Sequence, residues 1–435
     1  MTSERKHRNF SGELDRRKFI GVAAGTAGAM LIKPSLVRGT AANSAIRVGL
    51  LGCGGRGSED AANLVDTGNA RVVALADMFQ DQLDNARKRF DEMQQAKGYS
   101  AIDASQIFVG PKAFQSMAAS KEVDAVVIAT PPYYHPLHLE AVVAGGKHVY
   151  LEKPVAVDVP GALKVIEIGK RVEGKLSLDV GFQIRDCPPF VELVKRIHNG
   201  ALGNIVCGEA HYLAGYIDRP AWPSASPVEK RLRNWVYDRV LSGDIIVEQN
   251  IHVIDICNWV LKNHPLKASA TGGRLGRPGN DGDVYGNYNV IFHYPDNVDV
   301  TFSSTQFAKG WWDVTERFFG TKGTSQSPYT GPLGIWGDEP WQTPQTLKPG
   351  SEPQAFSVTG NFTSNLELAD REKKKAFVES ITNAAFHNQA AKGSESALSC
   401  MMARTAAYTG HEVSWEETMK SKEVWDSKID LNKLR

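Results

Sequence analysis

Three glycines follow a run of apolar residues near position 50, in an order suited to binding phosphate. The run 46–51 predicts a buried strand, Gly52, Gly54 and Gly57 fit the pattern G-x-G-x-x-G, and residues 59–65 can form a helix. In such a unit the first glycine allows a tight turn, the second lets the backbone approach a pyrophosphate, and the third lets helix and strand pack closely. The helix N-terminus adds free N–H groups and a positive dipole end. The turn therefore predicts a dinucleotide site formed by Gly52, Cys53, Gly54, Gly55, Arg56 and Gly57.

A carboxylate after the second predicted strand indicates which dinucleotide is bound. Residues 70–76 form this strand, and Asp77 follows it, about 20 residues past the last glycine. An acid at this point accepts hydrogen bonds from the adenosine ribose hydroxyls and disfavours a 2′-phosphate. NAD is therefore preferred over NADP, although the arginine at position 56 could reach a phosphate.

A lysine follows a later strand of the same predicted sheet. Residues 147–151 read as a parallel strand that delivers Glu152, Lys153 and Pro154 to its carboxyl end, where open α/β sheets bind ligands. A lysine there can hydrogen-bond a substrate hydroxyl and stabilise developing alkoxide charge. A surface lysine at a loop start is the alternative. The ends of neighbouring strands add further candidates for cofactor contact, namely Thr130, Pro131, His135, Glu152 and Gln183.

Three ionisable residues are spaced along an apolar helix predicted over 243–261. Glu248, His252 and Asp255 stand at i, i+4 and i+7, which places them on one helical face. Ionisable groups on a buried helix need partners or a polar cavity. A histidine backed by a carboxylate can act as acid or base near neutral pH. A satisfied core histidine is the alternative, and the spacing is a poor zinc pattern, so no metal is predicted.

Aromatic residues concentrate in the second half of the chain, where a sugar could be held. Seven of the nine tryptophans lie between Trp222 and Trp341, and aromatic faces suit the C–H surfaces of sugars. Trp235, Trp311 or Trp312 could line the site, although core and interface packing is the favoured interpretation for any single one. The candidates for substrate contact are Arg185, Tyr212, Trp235, Asp244 and Asp255.

The overall composition excludes several classes of partner. With 435 residues, 42% hydrophobic and 23% charged, the chain has the composition of an ordinary soluble protein of two domains. A net charge of +1 indicates neither nucleic acid nor an anionic membrane surface. The five cysteines are odd in number and lack a C-x-x-C spacing, so neither a disulfide framework nor a zinc site is predicted.

The first 45 residues have the layout of a bacterial export signal. A basic region contains the twin arginine Arg16-Arg17, residues 19–32 carry no charge, and the small residues 39–42 could hold a cleavage site. The apolar run is too short and weak for a stable membrane span. We therefore expect residues 1–42 to be removed after export through the twin-arginine machinery to the periplasm. A route that moves folded proteins could carry a tightly bound cofactor.

The remaining chain divides into two predicted domains of an α/β protein. Alternating strands and helices over 43–183 predict a Rossmann domain with a parallel sheet. The pattern over 184–435 predicts an α+β substrate and oligomerisation domain with an open, mostly antiparallel sheet, and 325–360 reads as loop. The even positions of 285–294 and 298–306 would share an open face, which carries Val290, Phe292, Val298, Val300 and Phe302. Because soluble monomers rarely expose such a patch, a homodimer or homotetramer is expected.

These motifs together resemble the Gfo/Idh/MocA oxidoreductases, the family of glucose–fructose oxidoreductase and inositol dehydrogenase. The resemblance covers about residues 45–420 and includes the glycine turn, Thr130-Pro131-Pro132, Glu152-Lys153-Pro154 and the pair of Glu248 and His252. It implies that the lysine and the histidine lie at the nicotinamide and the substrate, with the histidine as proton acceptor. It also implies association through the second-domain sheet. The family usually has aspartate where this chain has glutamate, which moves the carboxylate.

Three functions remain open at this point. The first is an oxidoreductase that transfers hydride from a sugar, glycoside or polyol hydroxyl to NAD(P). The second is a redox-assisted glycosidase that oxidises a sugar C3 hydroxyl on bound NAD, eliminates the glycoside and returns the hydride. The third is a sugar- or nucleotide-binding protein without catalysis.

Overall fold

The computed structural model describes residues 45–275, 282–309, 311–329, 331–344 and 364–434. The predicted export signal lies outside the described residues. Within the described ranges, no helix combines the length and the apolar character needed to cross a membrane.

The first sheet is parallel, as the sequence predicts, and its six strands have the order β3-β2-β1-β4-β5-β6. Its strands are β1 Ile46–Leu51, β2 Ala70–Asp77, β3 Ile107–Val109, β4 Ala125–Ile128, β5 His148–Leu151 and β6 Leu178–Val180. Its helices are α1 Gly55–Asp66, α2 Gln80–Ala96, α3 Ala113–Ala119, α4 His135–Ala144 and α5 Val159–Val172. The strand order reverses direction between β1 and β4. Such a switch point opens a crevice at the carboxyl ends of the strands.

Continuous apolar runs explain why the central strands are buried on both faces. All four residues of β4 are at most 1% exposed, as expected for a parallel strand covered by helices on each side. The side chains of these strands are therefore packed in the interior. The residues that reach the crevice are those that follow the strand ends.

The second sheet has nine strands in the order β14-β13-β12-β11-β7-β10-β9-β8-β15. Its strands are β7 Ile205–Leu213, β8 Lys267–Gly273, β9 Asn287–Tyr294, β10 Val298–Thr305, β11 Asp313–Gly320, β12 Gly323–Gln326, β13 Gly334–Gly337, β14 Trp341–Gln342 and β15 Val413–Ser414. The remaining helices are α6 Pro188–His198, α7 Pro227–Arg233, α8 Arg239–Ser242, α9 Ile245–Glu248, α10 Ile251–Leu261, α11 Ser364–Thr382, α12 Ala390–Thr409 and α13 Trp415–Met419. Only β7 and β10 pair in parallel, which agrees with the predicted, mostly antiparallel sheet.

The predicted loop over 325–360 is wrong in its first part. The strands β12, β13 and β14 extend the sheet beyond β11 through antiparallel pairs. They are short and rich in glycine and tryptophan, so they lack the alternating pattern that identifies a strand. Residues 345–363 lie outside the described residues.

The apolar positions of β9 and β10 face the interior of the chain, contrary to the sequence-based argument for an exposed patch. Val290, Phe292, Val300 and Phe302 are each no more than 3% exposed, and Tyr294 on the same face donates a hydrogen bond to Asn258 of α10 at 2.7 Å. Helices α10 and α12 of the same chain cover this face. The apolar patch is therefore not available to a second copy.

The last third of the chain returns to the first sheet. Helix α11 packs against α1, and Phe377 buries its ring against Tyr150 of β5 at 5.7 Å between centroids. The backbone of Leu178 in β6 donates to the carbonyl of His387 at 2.9 Å. Packing therefore crosses the predicted boundary at residue 183, and the division into 43–183 and 184–435 stays a prediction.

Candidate functional site

A groove of about 440 Å³ opens at the carboxyl ends of β1, β2 and β4. Its walls include the glycine turn, Asp77, Thr130 and Pro131, which the sequence predicts as cofactor contacts. Another part of its lining comes from the segment after β7, through Arg219, Trp222 and Arg233. The sequence analysis assigned no role to the latter three, because no local pattern indicates that this segment crosses to the first sheet.

The glycines of the turn differ in what they require. Gly52 has φ +96°, and a Cβ there would lie 2.6 Å from the carbonyl oxygen of Ala129. A Cβ on Gly57 would lie 2.2 Å from the carbonyl oxygen of Gly52. Gly54 is the residue before α1, and a Cβ on it would meet no protein atom within 4 Å. The fold thus requires two of the glycines, whereas Gly54 leaves space beside the N-terminus of α1 that a pyrophosphate fits.

Asp77 joins the end of β2 to the glycine turn. Its carboxylate accepts hydrogen bonds from the backbone N–H of Cys53 at 2.7 Å and of Phe79 at 2.9 Å. Burial raises the pKa of Asp77, and these two hydrogen bonds oppose that rise. A carboxylate has about four lone-pair sites, so the two bonds leave capacity for ribose hydroxyls. The side chain of Cys53 is buried and does not line the groove, so its part in the predicted set is its backbone N–H and its small size.

Arg56 is paired with carboxylates, contrary to the expectation that it reaches a phosphate. Its Nε lies 3.0 Å from Glu152 Oε1, and its terminal nitrogen lies 2.8 Å from Asp370 Oδ1 and 3.1 Å from Asp60 Oδ1. Lys374 of α11 adds contacts of 2.6 Å to Asp60 and 3.0 Å to Asp370. We call these five residues the Arg56 cluster. Arg56 lines the groove, but its guanidinium is already engaged by three acids.

The charges in the Arg56 cluster decide the ionisation of its acids. Burial opposes ionisation of Glu152, but the charges of Arg56, Lys374 and Lys153 outweigh it and lower the pKa of Glu152 to about 2. The charges of Arg56 and Lys374 also lower the pKa of Asp370, and they outweigh the opposite effect of burial. Burial raises the pKa of Asp60 above its usual range. Arg56 and Lys374 thus face three buried acids, and each of these two cations has acidic partners within ion-pair distance.

A smaller cavity of about 100 Å³ adjoins the groove and is lined by all three predicted catalytic residues, Lys153, Glu248 and His252. The groove and this cavity share Arg56, Ala129, Thr130 and Trp235 as lining residues. The predicted site residues that line it are Arg56, Thr130, His135, Glu152, Lys153, Gln183, Tyr212, Trp235, Glu248 and His252. The sequence analysis did not single out Ile217, Gln249, Tyr329 and Leu366, which also line it. The catalytic and binding roles of the lining residues stay predictions. The cavity nevertheless brings together residues from the parts of the chain that form the two sheets.

Lys153 is bound to Glu248 across this cavity. Its Nζ donates to the backbone carbonyl of Glu248 at 2.7 Å and to Glu248 Oε1 at 3.2 Å. The helix predicted over 243–261 is interrupted, because α9 ends at Glu248 and α10 begins at Ile251. The glutamate and His252 are therefore not one turn apart on a single helix. The predicted pairing of the Glu248 carboxylate with His252 is therefore wrong, because this carboxylate accepts a hydrogen bond from Lys153 instead.

His252 lines the cavity at the start of α10. Among the described residues, none forms a hydrogen bond with its ring nitrogens, and the nearest ring is Phe182, with centroids 6.2 Å apart. Burial lowers the pKa of His252 well below its usual value, and the charge of Lys153 lowers it further. The imidazole is therefore neutral near pH 7 and has a free nitrogen to accept a proton.

Three predicted substrate contacts lie outside both cavities, and they support the fold instead. Arg185 pairs with Asp255 through contacts of 2.8 and 2.9 Å, and Asp255 also accepts a hydrogen bond from Ser396 at 2.7 Å. Asp244 accepts hydrogen bonds from the backbone N–H of Ile245 at 2.6 Å and of Tyr285 at 3.1 Å. The carboxylates of Asp255 and Asp244 are thus occupied by donors of the protein, and these contacts hold α9 and α10 in place.

Other predicted contacts have support roles or lie elsewhere. His135 lines the small cavity, but its Nδ1 contacts the carbonyl of Pro154 at 2.8 Å and its Nε2 contacts the carbonyl of Thr130 at 2.7 Å. It therefore connects the loops after β4 and β5. Trp311 is 71% exposed, and neither it nor Trp312 lines a cavity, so these two tryptophans are not at the site.

Comparison with known protein families gives two matches. The model described as "Oxidoreductase family, NAD-binding Rossmann fold", of the GFO/IDH/MocA group, matches residues 46–180. The model for the GFO/IDH/MocA C-terminal domain matches residues 190–326. Together the two matches cover more than half of the chain.

Individual relatives are similar over most of the same region. An inositol 2-dehydrogenase of Rhizobium meliloti is 27% identical over 294 residues, which are 67% of this chain and 78% of that protein. An inositol 2-dehydrogenase of Acidothermus cellulolyticus is 27% identical over 236 residues, 54% of this chain and 59% of that protein. The solved structure of levoglucosan dehydrogenase in complex with NADH and levoglucosan has a TM-score of 0.65 and 20% identity, covering 85% of this chain and 99% of that one. This last likeness shows the fold.

Gly54→Ala tests whether the space beside α1 holds the cofactor. The added Cβ meets no protein atom, so we expect the urea midpoint of unfolding to stay unchanged. Crowding a bound pyrophosphate costs about 1–3 kcal/mol, so the Kd for NAD, measured by calorimetry, should rise roughly ten- to hundred-fold. Gly273→Ala is the matched control, because its Cβ also meets nothing within 4 Å. Equal NAD affinity in the two variants would contradict this assignment.

Proposed function

The chain belongs to the Gfo/Idh/MocA oxidoreductase family, and we propose that it oxidises a hydroxyl group of a sugar, glycoside or polyol with NAD. The observation that carries the proposal is the cavity beside the groove. It brings together a lysine held by Glu248 and a histidine whose ring nitrogens have no hydrogen-bond partner in the described part of the chain. The presence of both a donor and a base distinguishes this site from one that only binds a sugar, so the binding-protein alternative is not retained.

The residues of the groove fit the cofactor. The turn at Gly52–Gly57 and the N-terminus of α1 would hold the pyrophosphate, and Asp77 would hold the adenosine ribose. When bound, NAD supplies the acceptor for the hydride. We propose NAD over NADP because the carboxylate of Asp77 lies where a 2′-phosphate would be repelled.

His252 would take the proton from the substrate hydroxyl. Its lowered pKa keeps the imidazole neutral and ready to accept a proton at neutral pH. The Lys153 ammonium has three N–H donors, of which two are used by the carbonyl and carboxylate of Glu248. The third would donate to the substrate oxygen and stabilise its developing negative charge. Glu248 thus orients the lysine, and positioning the hydroxyl between both groups supplies much of the catalysis.

A redox-neutral glycosidase is the second candidate, because the second domain covers the cofactor groove. Arg233 forms two contacts of 2.9 Å with Asp81 at the start of α2 and stacks on Phe79 with its Cζ 3.9 Å from the ring centre. This bridge favours a cofactor that is tightly bound and recycled. Release of the aglycone from aryl glycosides without net formation of NADH would favour the glycosidase. Stoichiometric NADH formation from free sugars would favour the dehydrogenase.

We also propose that the protein is exported in folded form by the twin-arginine route and acts in the periplasm. The support is the basic region with Arg16-Arg17, the uncharged run after it and the small residues at 39–42. We expect the double variant Arg16→Lys and Arg17→Lys to accumulate in the cytoplasm of a bacterial host, as cell fractionation would show. Arg8→Lys, outside the pair, should be exported normally. Periplasmic recovery of the double variant equal to that of Arg8→Lys would refute this proposal.

We propose that the protein is a homodimer or a dimer of dimers through the outer face of the nine-stranded sheet. This face exposes Val206, Ile291 and Phe319 among polar residues, with exposed fractions of 58%, 41% and 38%. Light scattering at micromolar concentration should give at least twice the chain mass. Ile291→Glu should lower that mass, whereas Val109→Glu, at an exposed position of the first sheet, should leave it unchanged. A monomer mass for the unaltered protein would contradict the proposal.

His252→Ala and Lys153→Met should each lower turnover by about 10²–10⁴-fold while NAD affinity changes little. The lysine variant loses the donor to the substrate oxygen, and the histidine variant loses the base. Because burial lowers the pKa of His252, its neutral form is lost only when the pH falls well below the usual value of about 6.5. The acid limb of the kcat profile should therefore lie below that pH.

The control for these variants is Lys164→Met, an exposed lysine of α5 that lines neither cavity. It should retain full turnover. Normal turnover in His252→Ala would reassign the histidine to core packing. An acid limb centred at or above pH 6.5 would show that another group is the base.

A further inference from the structure

The segment between β7 and α7 contributes two hydrogen-bond donors with no acceptor to the groove. Arg219 and Trp222 both line the groove, as the glycine turn does. The Nε of Arg219 and the Nε1 of Trp222 are closed off from solvent, and neither has a hydrogen-bond partner in the described part of the chain. Buried donors are nearly always paired in folded proteins. Two such donors only three residues apart indicate a ligand that supplies the acceptors.

The cations that line the two cavities differ in how their charge is balanced. Arg56 contacts three acids, Lys153 contacts Glu248, and Arg233 contacts Asp81 and Glu229. Arg219 is the exception, since no carboxylate of the described residues lies within ion-pair distance of it. Burial lowers the pKa of Arg219, while the more distant charge of Glu248 raises it. An arginine remains charged under these conditions, so its charge lacks a counterion within the described ranges of the chain.

The position of Arg219 limits which part of a ligand it could reach. It lines the large groove, and Ile217, two residues before it, lines the small cavity. Trp235, on the same stretch of chain, lines both. Arg219 therefore lies near the junction of groove and cavity, where the bound dinucleotide and the sugar would meet.

We propose that Arg219, with the indole N–H of Trp222, binds an anionic oxygen group of a ligand at this junction. The inference rests on the proposed function of the site. The group is either a phosphate of the dinucleotide or a carboxylate or phosphate carried by the sugar. Guanidinium groups bind both with two parallel N–H···O bonds. In the second case the enzyme selects acidic sugars over neutral ones.

The test uses Arg219→Gln in the full chain and two pairs of probes that differ by the anionic group. Calorimetry would measure the Kd of ADP and of adenosine for the protein without cofactor. It would then measure the Kd of glucuronate and of glucose for the protein saturated with NAD. The matched control is Lys230→Gln, which removes one positive charge from α7 but lines neither cavity.

We expect Arg219→Gln to weaken one charged probe by about ten- to hundred-fold, the effect of a lost charge-assisted hydrogen bond. A loss confined to ADP assigns Arg219 to the cofactor phosphates, and a loss confined to glucuronate assigns it to an acidic sugar. Adenosine and glucose should be unaffected in both cases. Unchanged affinity for both charged probes, or equal losses in Lys230→Gln, would overturn the proposal.

Two further measurements keep the result interpretable. Trp222→Phe preserves the ring and removes only the N–H, and it should weaken the same charged probe as Arg219→Gln by a smaller factor. An effect on the uncharged probes alone would contradict the proposal. Because all readouts are binding affinities, failure of the enzyme to form NADH from any sugar would refute the proposed function without changing these results.

Discussion

The site depends on the burial of the Arg56 cluster. A guanidinium removed from water must be paired, and leaving one partner alone costs several kcal/mol. Arg56 meets this requirement by contacting Glu152 after β5 and Asp370 on α11, at 3.0 and 2.8 Å. A single side chain in the glycine turn therefore fixes the ends of two strands and a helix from the far end of the chain.

The lysine of the site is positioned through this cluster. The second oxygen of Glu152 accepts the backbone N–H of Lys153 at 3.0 Å, and the Nζ of Lys153 reaches Glu248 before the break between α9 and α10. A continuous series of contacts thus runs from the turn that would hold the pyrophosphate to the helix that begins next to His252. We infer that the distance between the cofactor and the proton acceptor is set by ion pairs of the interior, and not by the loops at the surface.

Local sequence patterns predicted the features that depend on contacts between residues close together in the sequence. The strand, glycine turn and helix at 46–66 and the acid at Asp77 follow from steric and hydrogen-bonding needs within one βαβ unit, and they are where the sequence indicates. Lys153 and His252 were identified by residue type and by their place after a strand or on an apolar helix. Their meeting in one cavity required both sheets and could be expected only from the family resemblance.

The failures have a common cause, which is tertiary contact between distant residues. One partner of Arg56, Asp370, lies 314 positions away, so the sequence showed a free arginine where the structure has a paired one. Strict alternation identified which residues of β9 and β10 share a face, but not that α10 and α12 cover it. The helix also breaks after Glu248. Just before α9, the Asp244 carboxylate accepts hydrogen bonds from the backbone N–H of Ile245 and of the distant Tyr285. The residues between α9 and α10 did not lead us to predict the break.

The central claim is that this site moves a hydride from a carbohydrate C–H bond to the nicotinamide. The most direct measurement uses a sugar or polyol deuterated at its carbinol carbons, incubated with the NAD-loaded protein, followed by mass spectrometry of the extracted nucleotide. The account predicts one deuterium on the nicotinamide ring, and none when His252→Ala is incubated for the same time. Conversion of the carbohydrate without transfer of deuterium to the nucleotide would contradict it.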